Sequence, residues 1–170
     1  MDRGTLLSCV ALGIVLAALT SVASSKIGEP DSNGAVAAAI KHYLADFVGM
    51  EAIEGEGTSF GPMVLCVGSE VPLHMEAIAR DLADTVIRPI AEGACRSETV
   101  EGDFGMFTAI TNYYDASGAE AAHVTVADVS CKNTTTCIVD IDSRGSGDRL
   151  EMRRKGRTWF VGERRIRWMV

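Results

Sequence analysis

The chain has 170 residues, 16 Lys and Arg against 23 Asp and Glu, a net charge of −7, and 47% apolar residues. Ordinary apolar content with only 23% charged residues argues against disorder, because such a chain can bury enough apolar surface to offset its conformational entropy. Overall negative charge repels phosphate and no recognition motif occurs, so nucleic acid is set aside as a partner.

The chain opens MDRGTLLSCVALGIVLAALTSVASSK. A free amine and Arg3 precede an apolar run from Cys9 to Leu19, followed by small and hydroxylated residues. That order is a secretory signal pattern, with residues 1–25 as the signal peptide and a cut before Lys26. The apolar run is far shorter than the roughly 20 residues that cross a bilayer, so no stable transmembrane span is expected. The LLSC at Leu6–Cys9 resembles a lipobox, but its cysteine precedes the apolar run where a lipidated one must follow it.

Residues 26–34 form a polar, flexible leader, and residues 35–170 a single domain. Val36, Ile40, Tyr43, Leu44, Phe47 and Val48 recur at helical spacing, which predicts a first helix ended by Gly49. An exposed loop follows. Within it GTSFG, Gly57–Gly61, matches a G-x-S-x-G nucleophile elbow. A loop enters Ser59 and a strand leaves it, the reverse of the strand-to-helix turn the motif needs. MVLCVG is a buried strand. SEVPLHMEAIARDLADTVI then places Met75, Ile78, Leu82 and Val86 at helical spacing, with Pro89 as the stop.

From Phe104 the period changes to two. FGMFTAITNYY, AAHVTVADVSC, CIVDIDS, RLEMRRK and RTWFVGERRIRWMV are five strands joined by short polar turns, and sequential strands of this kind pair antiparallel. The expected fold is α+β: two helices packed on a twisted antiparallel sheet of four to six strands.

With the signal removed, Cys66, Cys95, Cys131 and Cys137 remain, an even number in an oxidising compartment. Their spacings fit neither a zinc ribbon nor a C-x-x-C redox site. Cys131 and Cys137 would face each other across a hairpin, which gives Cys131–Cys137 and Cys66–Cys95 as the expected pairs of three possible connectivities. Loop-closure entropy assigns them about 2.4 and 3.6 kcal/mol.

Asp140, Asp142, Gly145, Ser146, Asp148 and Glu151 fall at EF-hand loop positions, but Arg144 stands where an oxygen ligand belongs and the flanks are strands. No metal and no cofactor are expected. His42 and His74 belong to the helices. His123 opens a strand opposite in face to Val124 and Val126, and a pair with Asp128 or Asp140 could do general acid–base work.

The charge is uneven. Residues 1–140 carry 7 Lys and Arg against 19 Asp and Glu, a net −12, and residues 141–170 carry 9 against 4, a net +5. Arg153, Arg154, Arg165 and Arg167 read either as one solvated face, their stems covering the sheet, or as a basic strip docking an anionic envelope component.

The closing LEMRRKGRTWFV, with Gly156, Trp159 and Val161 in a charged-strand, glycine-turn, Trp-plus-apolar pattern, resembles the NTF2-like (cystatin-like) superfamily of cone-shaped α+β folds, mainly over residues 104–170. That family includes isomerases, dehydratases, ligand carriers and non-catalytic envelope domains. The chain departs from it in the strand between its two helices and in its cysteines.

The sequence therefore supports a secreted or periplasmic binding module of the cell envelope, whose partner is an anionic envelope component, a protein or a small apolar ligand. The alternatives are a metal-free pocket enzyme using His123 with a carboxylate, and a secreted inhibitor presenting the loop Glu54–Gly61. A deep apolar cavity containing His123 and an ionisable neighbour would favour the enzyme. A filled cone with an exposed arginine strip would favour the binder.

Overall fold

The computed structural model describes residues 31–55, 61–105 and 107–170. The signal peptide over residues 1–25, Ser59 of the elbow motif and most of the proposed inhibitory loop lie outside them. Helix α1, Ser32–Val48, starts inside the expected leader, because the Asp31 carboxylate accepts the Gly34 N–H at 3.0 Å and caps it. Val36, Ile40, Tyr43 and Leu44 are buried with Ala35 and Ala39 between them, so small side chains let the helix lie close on the sheet. Phe47 and Val48 continue the stripe but stay exposed. A short helix α2, Met50–Glu54, occupies the start of the expected loop and is tied to α1 by Lys41–Glu54 at 2.7 Å.

The second helix is shorter than its periodicity predicts. Strand β1, Met63–Ser69, leads to α3, Met75–Asp81, and then to a strand β2, Ile87–Ala91, that runs parallel to β1. Leu82 is buried, but it belongs to the turn after the helix. There the Thr85 hydroxyl donates to the Leu82 carbonyl at 2.7 Å and accepts the Ile87 N–H at 3.1 Å, which turns the chain into β2. Pro89 lies within β2 instead of stopping a helix. It can do so because β2 is the edge of the sheet, where a missing N–H breaks no ladder.

Two more strands, β3 (Arg96–Phe104) and β4 (Phe107–Tyr114), form an antiparallel ribbon. Then β5 (Glu120–Asn133), β6 (Thr136–Asp142), β7 (Ser146–Lys155) and β8 (Thr158–Met169) follow as an antiparallel meander. The order is β2-β1-β5-β6-β7-β8, with β4 joining the start of β5 and β3 outside β4. The expectation of two helices on an antiparallel sheet of four to six strands is thus overturned: the fold is sheet-rich α+β, with eight strands and three α-helices among the described residues. Its sheet is mixed, because β1 is parallel to both β2 and β5. The β1–β2 pairing needs a crossover, and α3 supplies it.

One face of the sheet is an apolar belt. Leu65 and Val67, Val124 and Val126, Val139 and Ile141, Leu150 and Met152, and Trp159 supply it from five strands, and α1 and α3 cover it with Ile40, Leu44 and Ile78. Each fully buried aliphatic side chain of this kind contributes about 1.5–3 kcal/mol. Two disulfides fasten the belt's margins. Cys131 and Cys137 face each other in the β5–β6 register, and Cys66 of β1 is bonded to Cys95 beyond β2.

Charge is buried as well. Asp148 of β7 is fully buried on the helix side, 2.7 Å from Arg164 of β8, which also pairs with Asp46 of α1. Removing Arg164 would strand a buried carboxylate, whereas Arg165 pairs at the surface with Glu163. We expect Arg164→Ala to cost about 2–4 kcal/mol in urea unfolding and Arg165→Ala less than about 1 kcal/mol. Adding Asp148→Asn to Arg164→Ala should recover part of the loss; equal costs for the two single variants would contradict this account.

Candidate functional site

Strand β5 changes partners along its length. Glu120 and Ala121 pair with Tyr114 and Tyr113 of β4, and β6 joins only at Thr125, opposite Asp142. Between them Ala122, His123 and Val124 are held by β1 alone, through Leu65, Cys66 and Val67. A cleft of about 570 Å³ opens along this stretch. Its walls are β4 and the β6–β7 turn, and the end of α1 forms an apolar lip with Leu44, Phe47 and Val48. Arg144, from that turn, donates to the Thr111 carbonyl and to Asn112 Oδ1 at 3.1 Å, bracing β4 across the opening. Behind it the Tyr43 hydroxyl is 2.7 Å from Ser143 Oγ and 2.9 Å from Ser146 Oγ, so the turn is anchored to α1.

His123 lies in this cleft. Its register places it across from Cys66, and the Tyr113 ring lies flat on the imidazole with centroids 3.9 Å apart and planes 3° from parallel. The contact is the diagonal neighbour of the Tyr113–Ala121 pair, a reach that aromatic side chains span on a sheet face. Glu92 completes the group: its Oε1 is 3.2 Å from His123 Nε2 and accepts the Tyr113 hydroxyl at 3.0 Å. Glu92 begins a 3₁₀ turn, Glu92–Ala94, immediately before Cys95. The Cys66–Cys95 bond therefore sets where this carboxylate lies. Gly68 makes room for it, since a Cβ there would stand 2.6 Å from Glu92 Oε2.

Burial holds the His123 pKa below its ordinary value of 6.5, with Arg144 adding to the effect and Glu92 opposing it. The Tyr113 phenol is pushed up by burial and by its bond to Glu92. Near neutral pH the imidazole is accordingly uncharged. Its Nε2 faces the Glu92 carboxylate, an imidazole–carboxylate pair that can take or give a proton.

The sequence-predicted residues separate. His123 is in the cleft, but its carboxylate is Glu92 and not Asp128 or Asp140. Asp140 is instead buried and gripped by Arg149 through two bonds of 2.8 and 2.7 Å. The arginines do not form an unneutralised strip. Arg153 pairs with Glu151 at 2.8 Å, Arg165 with Glu163 at 2.8 Å, and Arg167 with Asp142 at 2.9 Å. Arg154 stacks over Trp159 and bonds the Gly156 carbonyl. Among the described residues no group of three or more His, Cys, Asp or Glu converges as a metal would require, and the EF-hand-like run is a β6–β7 hairpin. Glu92, Tyr113 and Arg144 were missed. Only the spacing of Glu92 to Cys95 hints at the first, and it becomes informative once β1 is known to be parallel to β5.

These features define a sheet-rich, disulfide-bonded α+β domain with an apolar cleft floored by one histidine. No family model, curated protein or solved structure matches the chain.

The depressed His123 pKa has a definite sign. The unfolded chain binds this proton at a higher pH than the folded chain, so its contribution to stability is complete above about 6.5 and is lost as pH falls from there toward the folded value. A histidine C–H titration by NMR should give His123 a pKa below 6.5. Glu92→Gln should lower it further, because an attraction for the imidazolium is removed; a rise would refute the assignment of Glu92 as its partner.

Proposed function

We propose that the protein is a binding module for a small, largely apolar molecule held in the cleft over β5, working outside the reducing cytosol. The cleft itself carries this reading. Its volume of about 570 Å³ lies in the range of ligand pockets, roughly 300–1,000 Å³. Its lining pairs an apolar lip with a few polar groups, Asn112, His123 and Arg144, that can orient a ligand. Phe47 is 63% exposed at its mouth, a large apolar group left for something to cover. Two disulfides and the signal pattern at the N-terminus support an oxidising compartment. Among the described residues no helix is long and apolar enough to cross a membrane.

A second reading, acid–base catalysis on the bound molecule, is favoured by two observations that match the criterion set from the sequence. Glu92 stands 3.2 Å from His123 in the cleft, and Arg153, Arg165 and Arg167 are paired and form no free strip. The two readings part on His123→Gln, which should leave binding within a few fold in a carrier and remove turnover in an enzyme.

An NMR screen with small amphipathic aromatic compounds tests the site. Hits should perturb the amides of Ala121–Thr125 and the Arg144 side chain. Phe47→Ala should weaken them about tenfold, near 1.4 kcal/mol, at an unchanged melting temperature because that ring is already exposed. Hits that map elsewhere, or affinity indifferent to Phe47, would remove the proposal.

A further inference from the structure

The charge asymmetry of the sequence is not absorbed by the cleft. At one end of the molecule the β3–β4 ribbon projects from the start of β5. All nine β3 residues are exposed, and Glu98, Glu101 and Asp103 have no cation partner among the described residues. Val100 and Phe104 lie among these carboxylates, each 40% exposed. A two-stranded ribbon with so little burial is marginal by itself, and β3 is an open edge that invites pairing or cover.

The opposite end is basic. The β7–β8 turn carries Arg154, Lys155 and Arg157, and Lys132 stands on β5 nearby, where the Arg154 N–H donates to the Thr135 carbonyl at 2.8 Å. None of these four cations has a carboxylate within 4.0 Å among the described residues, whereas their neighbour Arg153 has Glu151. Phe160 is beside them, 46% exposed. Each end thus carries unpaired charges opposite in sign to the other's, together with an uncovered apolar group.

We propose that a second copy of this chain docks here, its basic β7–β8 turn against the acidic β3–β4 ribbon of the first. The fourteen residues of β5 separate the two ends by about 45 Å at 3.3 Å per residue. Two copies lying side by side in opposite directions therefore make the contact twice. That is a closed two-fold dimer, in which each ribbon meets the other copy's turn, as isologous pairing requires. Phe160 of one copy then covers Val100 and Phe104 of the other. The cleft over β5 is not part of the contact, so this inference stands or falls separately from the proposed ligand.

The test is charge reversal with complementation, using the protein at two salt concentrations. Sedimentation should show dimers at about 0.01 M salt, where charges are felt over roughly 30 Å, and dissociation by about 0.3 M, where they are screened. Lys155→Glu with Arg157→Glu, and Glu98→Lys with Glu101→Lys, should each give monomers, since every contact then sets like charges together. An equal mixture of the two variants should dimerise again, because both contacts become complementary. All four positions are exposed, and unchanged melting temperatures confirm that the variants are folded. A monomeric wild type at low salt, a dimer indifferent to either reversal, or a mixture that stays monomeric overturns the proposal. So does a wild type that remains monomeric and uses its basic turn to bind phosphatidylglycerol vesicles.

Discussion

A strand in a sheet has two edges to satisfy, and β5 satisfies its own in sections. β1 holds one edge from Ala122 to Val126, β4 takes only Glu120 and Ala121, and β6 takes the stretch from Thr125 onward. The section between β4 and β6 is where His123 stands and where the cleft opens. Everything that frames the cleft answers this interruption. Arg144 spans it from the β6–β7 turn to β4, and α1 carries its last apolar residues over its lip. A fully paired β5 would give a smoother sheet and no cavity. Backbone pairing is exchanged here for a concave surface, which is the usual place for sites in rigid scaffolds.

The second organising force is the settlement of charge inside the chain. The basic C-terminal strands, read alone, present a row of arginines, yet in the sheet Arg149, Arg153, Arg164, Arg165 and Arg167 each pair with an acid. Arg149 grips Asp140 one strand away, Arg164 holds Asp148 and Asp46, and Arg167 reaches Asp142. Asp140 and Asp148 are both buried; Asp140 is held as a charge by two bonds from Arg149, whereas the Asp148 oxygens accept no hydrogen bond and burial raises its pKa. At the same end Gly147 admits Trp168 and Asp142 at distances a Cβ would forbid, 2.2 and 2.1 Å from where that atom would stand. Asp46 and Asp140 thus join the acidic body to the basic end of the sequence, residues 141–170, which settles the rest of its pairs within itself.

How far this was legible depends on the range of each interaction. The meander from β5 to β8 could be read because alternation and turn residues are local signals, and the facing cysteines of the β5–β6 hairpin followed from the same signals. Helix α1 could be read from its stripe. Strand β2 could not. Leu82 and Val86 continue a helical period by coincidence, and the residue that ends the helix, Thr85, acts through two local hydrogen bonds that periodicity does not register. β3 carries little apolar content and pairs only with β4, so it has no amphipathic pattern to announce it. The site fared as its parts did: His123 was legible as a residue of the right type on a strand, but its carboxylate comes from 31 positions earlier, brought near by a parallel pairing and a disulfide.

That last dependence joins the covalent frame to the chemistry. Cys66 lies in register with His123, Cys95 follows Glu92 by three positions, and Gly68 leaves the space through which the carboxylate reaches across β1. Three residues, Cys66, Gly68 and Cys95, thus fix one distance, that between a carboxylate and an imidazole. A crosslink between exposed loops would act mainly on the unfolded chain by closing a loop. This one also acts on the folded chain, because the short segment from Ala91 to Cys95 has no buried residue to hold it in place. Without the bond Glu92 would keep only the Tyr113 hydroxyl and the His123 edge, both at the surface of the sheet. The oxidation of these thiols is in that sense a component of the site, since it decides which carboxylate the histidine faces.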